Sequence, residues 1–569
     1  MQSENRPIAL LIENDSVLAA TLQEMLETAG FCVFRAHDSS SAQEYIKGRQ
    51  DWDLIILDLF LSNEPDGWEF LNVCDDNVSK DSARVIFSGH PNEKIRARKS
   101  KWLFIEKGAA GFEQLRDFVQ KAYISAQKLP PRDLELSRKI IRCTCPKSWK
   151  NVYVLGCFDK RVTLYSQQVR ALTLIRALYE TGQLDEKTSV AIVGAGVAGV
   201  TAAIGAALLG SKITLFDSAS APFHLQEGAT HRFVHPHVYL WPSTESMVPD
   251  AGLPFLNWSA NRASEVVQEL KRDFRKYVEG LSKKFTWKPR TLISTLERVS
   301  NKILVKSQDT AYAKNFDLVI LAIGYGVESE PSYWNNDRLD GPFSRDPVKI
   351  LISGAGDGGL IDLARATIRT GDDQNIFHHD QAIDRLSHIP GFIELAESME
   401  TIDKEARMAE LSDKRVNLTA RYKTLRISRT LINEMRNLKR KETEVVWHYR
   451  SEEPFNLKAS LINRLLALLL TRARLVTYRF GHIAERSLGI GDERLVTFTL
   501  PNGSSTEMKF DLVVKRYGPP KDYFQNRFPD LYGACATLKA HAELELTGGR
   551  IDTETLRFWK VVKWKSGIT

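Results

Sequence analysis

Ser189-Val190-Ala191-Ile192-Val193-Gly194-Ala195-Gly196-Val197-Ala198-Gly199 decides how this chain is read. Five residues rich in β-branched and small apolar side chains form a buried-strand pattern, and an Ala-rich helix to Leu209 follows the glycines. Gly194 allows a tight turn, Gly196 lets backbone approach a bound diphosphate, and Gly199 lets the helix pack closely on the strand. The helix start adds N–H donors and a favourable dipole. A second strand, Ile213-Thr214-Leu215-Phe216, ends in Asp217, 23 residues after the first glycine and placed to accept from ribose hydroxyls.

Working outward, Lys349-Ile350-Leu351-Ile352-Ser353 leads into Gly354-Ala355-Gly356-Asp357-Gly358-Gly359, 160 residues after the first turn. Phe316-Asp317-Leu318-Val319-Ile320 recurs as Phe510-Asp511-Leu512-Val513-Val514, each copy following a glycine-rich turn and a strand-rich stretch. The chain therefore reads as two related units, the second interrupted by a charged, helical insertion at about 381–475. Asp357 places a negative charge inside a loop that would cradle phosphates, which costs affinity unless it is turned away or paired. Lys515-Arg516-Tyr517-Gly518 puts two cations at a strand end where burial is expected.

This order of turns and strands resembles the two-dinucleotide-domain flavoproteins over about residues 187–520. The resemblance implies FAD at Gly194, Gly196, Gly199 and Asp217, with Gly324 at the end of the strand Leu318-Val319-Ile320-Leu321-Ala322-Ile323. It implies NAD(P) at Gly354, Gly356 and Gly359. The second turn also resembles the nucleotide loop of aminopropyl and methyl transferases, so another adenosine ligand, or a retained fold that binds nothing, stays open there. No CxxC or CxxxxC follows either turn, which argues against disulfide-reductase chemistry.

Residues 7–125 alternate strand-like runs with amphipathic helices, the pattern of a parallel sheet covered on both faces. Glu13-Asn14-Asp15 ends the first strand, Asp58 the third in Ile55-Ile56-Leu57-Asp58-Leu59, Ser88 the fourth and Lys107 the fifth. Carboxyl ends of parallel strands share one edge, so these residues converge. Spacing and order resemble the response-regulator receiver family. That implies phosphoryl transfer to Asp58 from a sensor histidine kinase or phosphotransfer protein. It also implies Mg²⁺ held by Glu13, Asp58 and the Phe60 carbonyl, phosphate contact by Lys107, and a switch made by Ser88 and Phe104. Asn14 stands where the family has a second acid, though Asp15 could compensate, and Gly108 replaces the usual proline.

The expected architecture is α/β: a flavodoxin-like receiver (1–128), a connector with an amphipathic helix (129–185), an FAD-binding Rossmann-like unit (186–345), a second, NAD(P)-type Rossmann-like unit with the helical insertion (346–525), and a C-terminal segment (526–569) packing on the FAD unit. Lys128-Leu129-Pro130-Pro131-Arg132 marks the first boundary.

Thr230-His231-Arg232-Phe233-Val234-His235-Pro236-His237 offers catalytic candidates for a small-molecule substrate. His231, His235 and His237 could relay protons, and Arg232 could hold an anionic substrate or the flavin diphosphate. The three histidines also admit a metal, and a packed aromatic loop is the plain alternative. Net charge is +7 with 78 basic and 71 acidic residues, too balanced for a whole-chain polyanion partner. Lys414 to Lys441 holds ten basic residues and one acid, Glu434, without any recognised nucleic-acid motif, so a solvated face is expected. Six scattered cysteines, Cys143 and Cys145 among them, suit free thiols in a reducing compartment. No apolar stretch approaches the ~20 residues of a membrane span. A soluble, cytoplasmic protein is expected, with a homodimer left open. Two functions follow: a phosphorylation-regulated, NAD(P)H-linked FAD oxidoreductase, or a non-catalytic sensor of dinucleotide or redox state.

Overall fold

The computed structural model describes residues 7–49, 51–61, 67–78, 82–97, 100, 102–126, 129–158, 162–308, 311–326, 332–343, 346–370, 377–410, 412, 414–488, 493–518, 520, 522–535, 538, 549–566 and 568. Lys128, where the first boundary was placed, lies outside them, as does most of 536–548 in the expected C-terminal segment.

Strands β1 (Ile8–Ile12), β2 (Cys32–Ala36), β3 (Leu54–Leu57), β4 (Ala83–Ser88) and β5 (Leu103–Glu106) form a parallel sheet in the order β2-β1-β3-β4-β5. This is the flavodoxin-like order expected of a receiver. Strand alternation divides the core. Ile8, Leu10, Ile12, Ile55 and Leu57 face one way, under helices α2 (Ser39–Gly48) and α3 (Gly67–Asn77). Ala9, Leu11, Leu54 and Ile56 face the other, under α1 (Ser16–Ala29) and α5 (Ala109–Ala126), while the short α4 (Lys94–Ala97) precedes β5. Gly108 has φ +154°, which proline's ring forbids, so its departure from the receiver pattern has a backbone cause.

The expected connector is part of the next unit. Helix α6 (Leu134–Thr144) packs on α7 (Leu164–Glu180), and β6 (Val152–Val154) pairs with β15 (Leu318–Leu321) at a sheet edge. Read from sequence as amphipathic, α7 is buried on nearly every side, because α6, α8 (Val197–Leu208) and a C-terminal helix all cover it. The full sheet runs β11-β8-β7-β15-β6, all parallel, with β7 (Ser189–Val193), β8 (Lys212–Phe216) and β11 (Phe285–Lys288). Between β8 and β11 lie the two-residue pair β9 (Phe233–Val234) and β10 (Asn261–Arg262) and helix α9 (Ala263–Gly280). An antiparallel meander, β12 (Ile293–Val299), β13 (Lys302–Ser307) and β14 (Ala313–Phe316), covers the face opposite the helices.

The same plan recurs. Strands β16 (Val348–Ser353), β17 (Thr443–Tyr449), β18 (Val476–Phe480) and β22 (Leu512–Lys515) form a parallel sheet in the order β18-β17-β16-β22. Helix α10 (Asp357–Thr367) packs on it, and a meander of β19 (His482–Ser487), β20 (Arg494–Thr499) and β21 (Ser505–Phe510) covers the other face. The helical insertion is shorter than the sequence suggested. It comprises α11 (His379–Ser387), α12 (Phe392–Glu410), α13 (Leu418–Lys423) and α14 (Arg429–Asn437). The rest of 381–475 supplies β17 and α15 (Leu461–Arg472), whose apolar side chains are core of the second sheet.

The repeated Phe-Asp has a structural cause. Phe316 and Phe510 end their meanders buried. Each Asp then turns the chain into the parallel sheet: Asp317 accepts from the Ser189 N–H at 2.9 Å and Oγ–H at 2.6 Å, and Asp511 accepts from the Lys349 N–H at 2.7 Å. Burial alone would raise the Asp317 carboxyl, but Ser189 and Lys302 bring it below the usual Asp range. Asp317→Ala and Asp511→Ala are each expected to cost about 1–2 kcal/mol in denaturant unfolding. Because the folded Asp317 pKa is depressed, its share is present above the unfolded value near 4 and is lost as pH falls through the folded one.

Beyond β22, α16 (Tyr523–Arg527) and α17 (Pro529–Tyr532) return to the first unit's meander face, and α18 (Thr553–Ser566) packs on α7 and α8. Trp559 is fully buried against Gly205 and donates to the Leu172 carbonyl at 3.1 Å. Lys560, on the same helix, reaches Asp51 of the receiver at 2.7 Å.

Candidate functional site

At the carboxyl edge of the receiver sheet, Lys107 Nζ lies 2.6 Å from Asp58 Oδ2 and 2.7 Å from Glu13 Oε2. Asp58 is 6% exposed and Glu13 3%. Burial raises the Glu13 carboxyl above its ordinary range, against the pull of Lys107. The fully buried Ser88 hydroxyl has no hydrogen-bond partner among the described residues, and the Lys107 N–H donates to the Ser88 carbonyl. The Phe60 N–H approaches Asp58 Oδ1 at 3.4 Å, and the Phe60 ring meets that of His90 at a tilt, centroids 3.8 Å apart. Phe104 is half-buried at the margin of the core. Asp15 caps α1 through the Val17 and Leu18 N–H groups, so its carboxylate serves the helix.

The first glycine turn divides its labour among three residues. Gly194 has φ +105°, and a Cβ there would fall 2.3 Å from the Ala322 carbonyl. A Cβ on Gly199 would fall 1.8 Å from the Gly194 carbonyl. Gly196, the N-cap of α8, has an ordinary φ of −70°, and a Cβ there would meet nothing within 4 Å. Its missing side chain leaves open space in front of a helix start, which fits a diphosphate. Asp217 Oδ2 accepts from the Ala195 N–H at 2.5 Å and Oδ1 from the Ala219 N–H at 2.7 Å, which places this carboxylate beside the turn. Gly324 follows β15 at φ +65° with open space where a Cβ would stand.

The second turn repeats this geometry. Gly354 sits at φ +150° beside the Arg516 carbonyl, Gly359 packs on Gly354, and Gly356 again faces open space. Gly518, φ +79°, matches Gly324. Asp357 Oδ1 accepts from the Ser460 N–H and Oγ–H, both at 2.8 Å, and from Asn463 Nδ2 at 2.6 Å. Its charge is therefore engaged by the start of α15. At the strand ends, Ser353 Oγ lies 2.7 Å from His448 Nδ1 and 2.9 Å from the Tyr517 hydroxyl.

The histidine loop lies inside the junction of the two units. His231, His235 and His237 are each 6–7% exposed. Burial lowers all three, His237 to about 4, so the rings are neutral near pH 7. His231 Nδ1 meets Asn336 Oδ1 at 2.7 Å, His235 Nδ1 accepts from the His237 and Val238 N–H groups, and His237 Nε2 meets the Asp250 carbonyl at 3.0 Å. The rings have separate partners, and no cluster of three or more His, Cys, Asp or Glu side chains able to hold a metal occurs among the described residues.

Arg232 needs a correction: it is not available to hold a substrate or the flavin diphosphate. It is 2% exposed, pairs with both oxygens of Asp362 on α10, donates to the Tyr333 carbonyl at 2.9 Å, and lies over the Tyr333 ring at 3.8 Å. Asp362 also accepts from Arg365 at 2.9 Å and Arg516 at 2.8 Å, and Arg365 reaches Asp337 and Asp340. Sequence reasoning missed this network. Its signal was an Asp and an Arg three apart in the otherwise apolar start of α10, Leu360-Ile361-Asp362-Leu363-Ala364-Arg365. The unexpected cation Arg516 is consumed there, and Lys515 pairs with Glu485 at 2.6 Å.

Cys143 and Cys145 are free thiols, both raised by burial, which makes thiolate chemistry unfavourable. The basic stretch is no single face: Arg415 pairs with Glu453, Arg421 with Glu405, and Arg440 is buried against the Leu339 and Arg365 carbonyls. Among the described residues no helix is long and apolar enough to cross a membrane.

Residues 189–318 match the model of the FAD dependent oxidoreductase family DAO. Part of the chain is similar in structure to the bacillithiol disulfide reductase of Staphylococcus aureus, with 13% identity over 59% of this chain and 78% of that one, at a TM-score of 0.30. Thioredoxin reductase of Lactococcus lactis gives 13% identity over 58% and 78%, with a TM-score of 0.29. A CheY-like response regulator receiver domain from Methylobacillus flagellatus is 24% identical over 20% of this chain and 98% of that one, with a TM-score of 0.18. No curated protein sequence matches the chain.

Proposed function

We propose that this protein is an NAD(P)H-linked FAD oxidoreductase whose activity is set by phosphorylation of its receiver. The observation that carries the reading is the doubled turn: Gly196 and Gly356 each leave open space before a helix start, in two units of one plan. The match of residues 189–318 to FAD dependent oxidoreductases supports FAD as the occupant of the first turn, with Asp217 beside it. The second turn then takes NAD(P)H, the hydride donor. At the receiver, Asp58 accepts the phosphoryl group from a histidine kinase or phosphotransfer protein. Lys107 neutralises it, the unpartnered Ser88 hydroxyl donates to it, and Glu13, Asp58 and the Phe60 carbonyl supply oxygen ligands for Mg²⁺. His231, His235 and His237, neutral and each keeping one ring nitrogen without a hydrogen bond among the described residues, are the proton-relay candidates.

A non-catalytic sensor would be favoured by unpaired charge at Asp357 and in the Lys515-Arg516-Tyr517-Gly518 ending. Asp357 and Arg516 are both engaged, by Ser460 and Asn463 and by Asp362, and neither obstructs the second turn.

The purified protein is expected to be yellow and to bleach when NADH or NADPH is added without oxygen. Yellow protein that never responds would favour the sensor, and colourless protein that FAD cannot reconstitute would end both flavin readings. At the receiver, Asp58→Asn is expected to abolish labelling by acetyl phosphate. Labelling that survives would place the acceptor elsewhere.

A further inference from the structure

A cavity of about 570 Å³ lies between α6 and the end of α7, lined by Arg132, Leu134, Arg138, Ile141, Arg142 and the turn Glu180-Thr181-Gly182-Gln183. Its volume is in the range of small-molecule sites, roughly 300–1,000 Å³. Helix α6 has two distinct faces. Ser137 and Ile140 pack inward on the first unit, whereas Leu134, Arg138, Ile141 and Arg142, spaced i, i+4, i+7 and i+8, line the cavity. Arg138 and Arg142 are therefore neighbours on one face.

Among the described residues the charge of this cavity is uncompensated. Glu180 is the one acid that lines it there, and it is 2% exposed and already committed, to Arg176 at 2.6 Å and to the Ser137 hydroxyl at 2.7 Å. Asp133 caps α6 through the Leu136 N–H. Arg138 and Arg142 have no carboxylate partner among the described residues. Arg132 meets only the Glu180 carbonyl, at 3.4 Å, and the Tyr179 ring, 5.9 Å away. The backbone offers no competing donor, since the Gly182 and Gln183 N–H groups close the end of α7. Three guanidinium groups thus stand around a floor of Leu134 and Ile141, the former 39% exposed.

We infer that this cavity binds a small phosphate-bearing molecule with at least two negative charges, its phosphates held by Arg132, Arg138 and Arg142 and its less polar part lying on Leu134 and Ile141. Guanidinium forks suit phosphate oxygens, and an apolar floor adds contact that a bare ion would not use. The site is separate from both glycine turns. Arg132 directly follows Pro130-Pro131, the link from the receiver, so an occupant ties the end of that link to α6.

The test is isothermal titration of the full-length protein as purified, with inorganic pyrophosphate and with ADP. Both are expected to bind, and Arg138→Ala/Arg142→Ala is expected to weaken binding roughly tenfold or more through loss of charge-assisted hydrogen bonds. Both side chains are exposed, so the thermal unfolding midpoint should not move. Gly356→Val is expected to leave pyrophosphate binding unchanged. The inference is overturned if neither probe binds, or if pyrophosphate binding survives the arginine replacements; its disappearance with Gly356→Val would put the ligand at the second turn. This readout does not use NAD(P)H oxidation, so it stands or falls apart from the oxidoreductase assignment.

Discussion

Asp362→Asn is expected to destabilise the second unit by about 3–5 kcal/mol, the usual cost of removing one partner from a buried ion network. Asp362 is completely buried and takes hydrogen bonds from Arg232, Arg365 and Arg516, which come from three separate parts of the chain. The asparagine keeps the shape but leaves three guanidinium groups facing one another, with Asp337 and Asp340 as the remaining carboxylates beside them among the described residues. Denaturant unfolding, following the transition of the second unit, reads the loss. A change below about 1 kcal/mol, the level of a surface ion pair, would show that the network contributes no more than one. The pH dependence has a definite sign. Burial alone would raise the Asp362 carboxyl, but Arg232, Arg365 and Arg516 together hold it well below the usual range. A depressed folded pKa means the stabilisation is complete above the unfolded value near 4 and erodes as pH falls below it. The wild type should therefore lose stability in acid faster than Asp362→Asn.

The second large effect separates space from backbone conformation. Gly196→Val is expected to leave the fold and the thermal midpoint of the FAD-free protein intact while lowering FAD affinity on the order of 100-fold, about 2.7 kcal/mol. Gly196 already has extended backbone angles that valine accepts, and the valine branches would project into empty space before α8. Gly199→Val differs in kind: its Cβ would fall 1.8 Å from the Gly194 carbonyl, so strand and helix must separate and the protein should fail to fold. Flavin absorbance after refolding with FAD, beside circular dichroism, distinguishes the two. If Gly196→Val retains full flavin, the open space at this turn is not where the diphosphate lies.

Much of the architecture was legible because it rests on local, periodic signals. Strand runs ending in Glu13, Asp58, Ser88 and Lys107 imply convergence, since parallel strands share a carboxyl edge, and Lys107 does bridge Asp58 and Glu13. The Phe-Asp echo pointed to duplication, and its carboxylates prove to tie equivalent strand starts. Helix α7 misled for the opposite reason. Its polar residues Gln168 and Arg176 look solvent-facing, yet both are buried and bonded to distant partners, the Leu256 carbonyl and the Thr555 hydroxyl.

By itself the sequence determined the parallel α/β plan, the receiver constellation and both glycine turns, because backbone geometry and strand order follow from residues close together along the chain. The tertiary structure alone decided which charges are free to act. Arg232 looks like a binding group, Asp357 like a charge opposed to phosphate and Arg516 like a misplaced cation until Asp362, Ser460 and Asn463 are placed against them from more than 100 residues away. Arg138 and Arg142 look like ordinary surface cations until Glu180, the acid beside them, is found already paired with Arg176. A charge's role depends on which opposite charge shares its low-dielectric surroundings, and only the folded chain sets that.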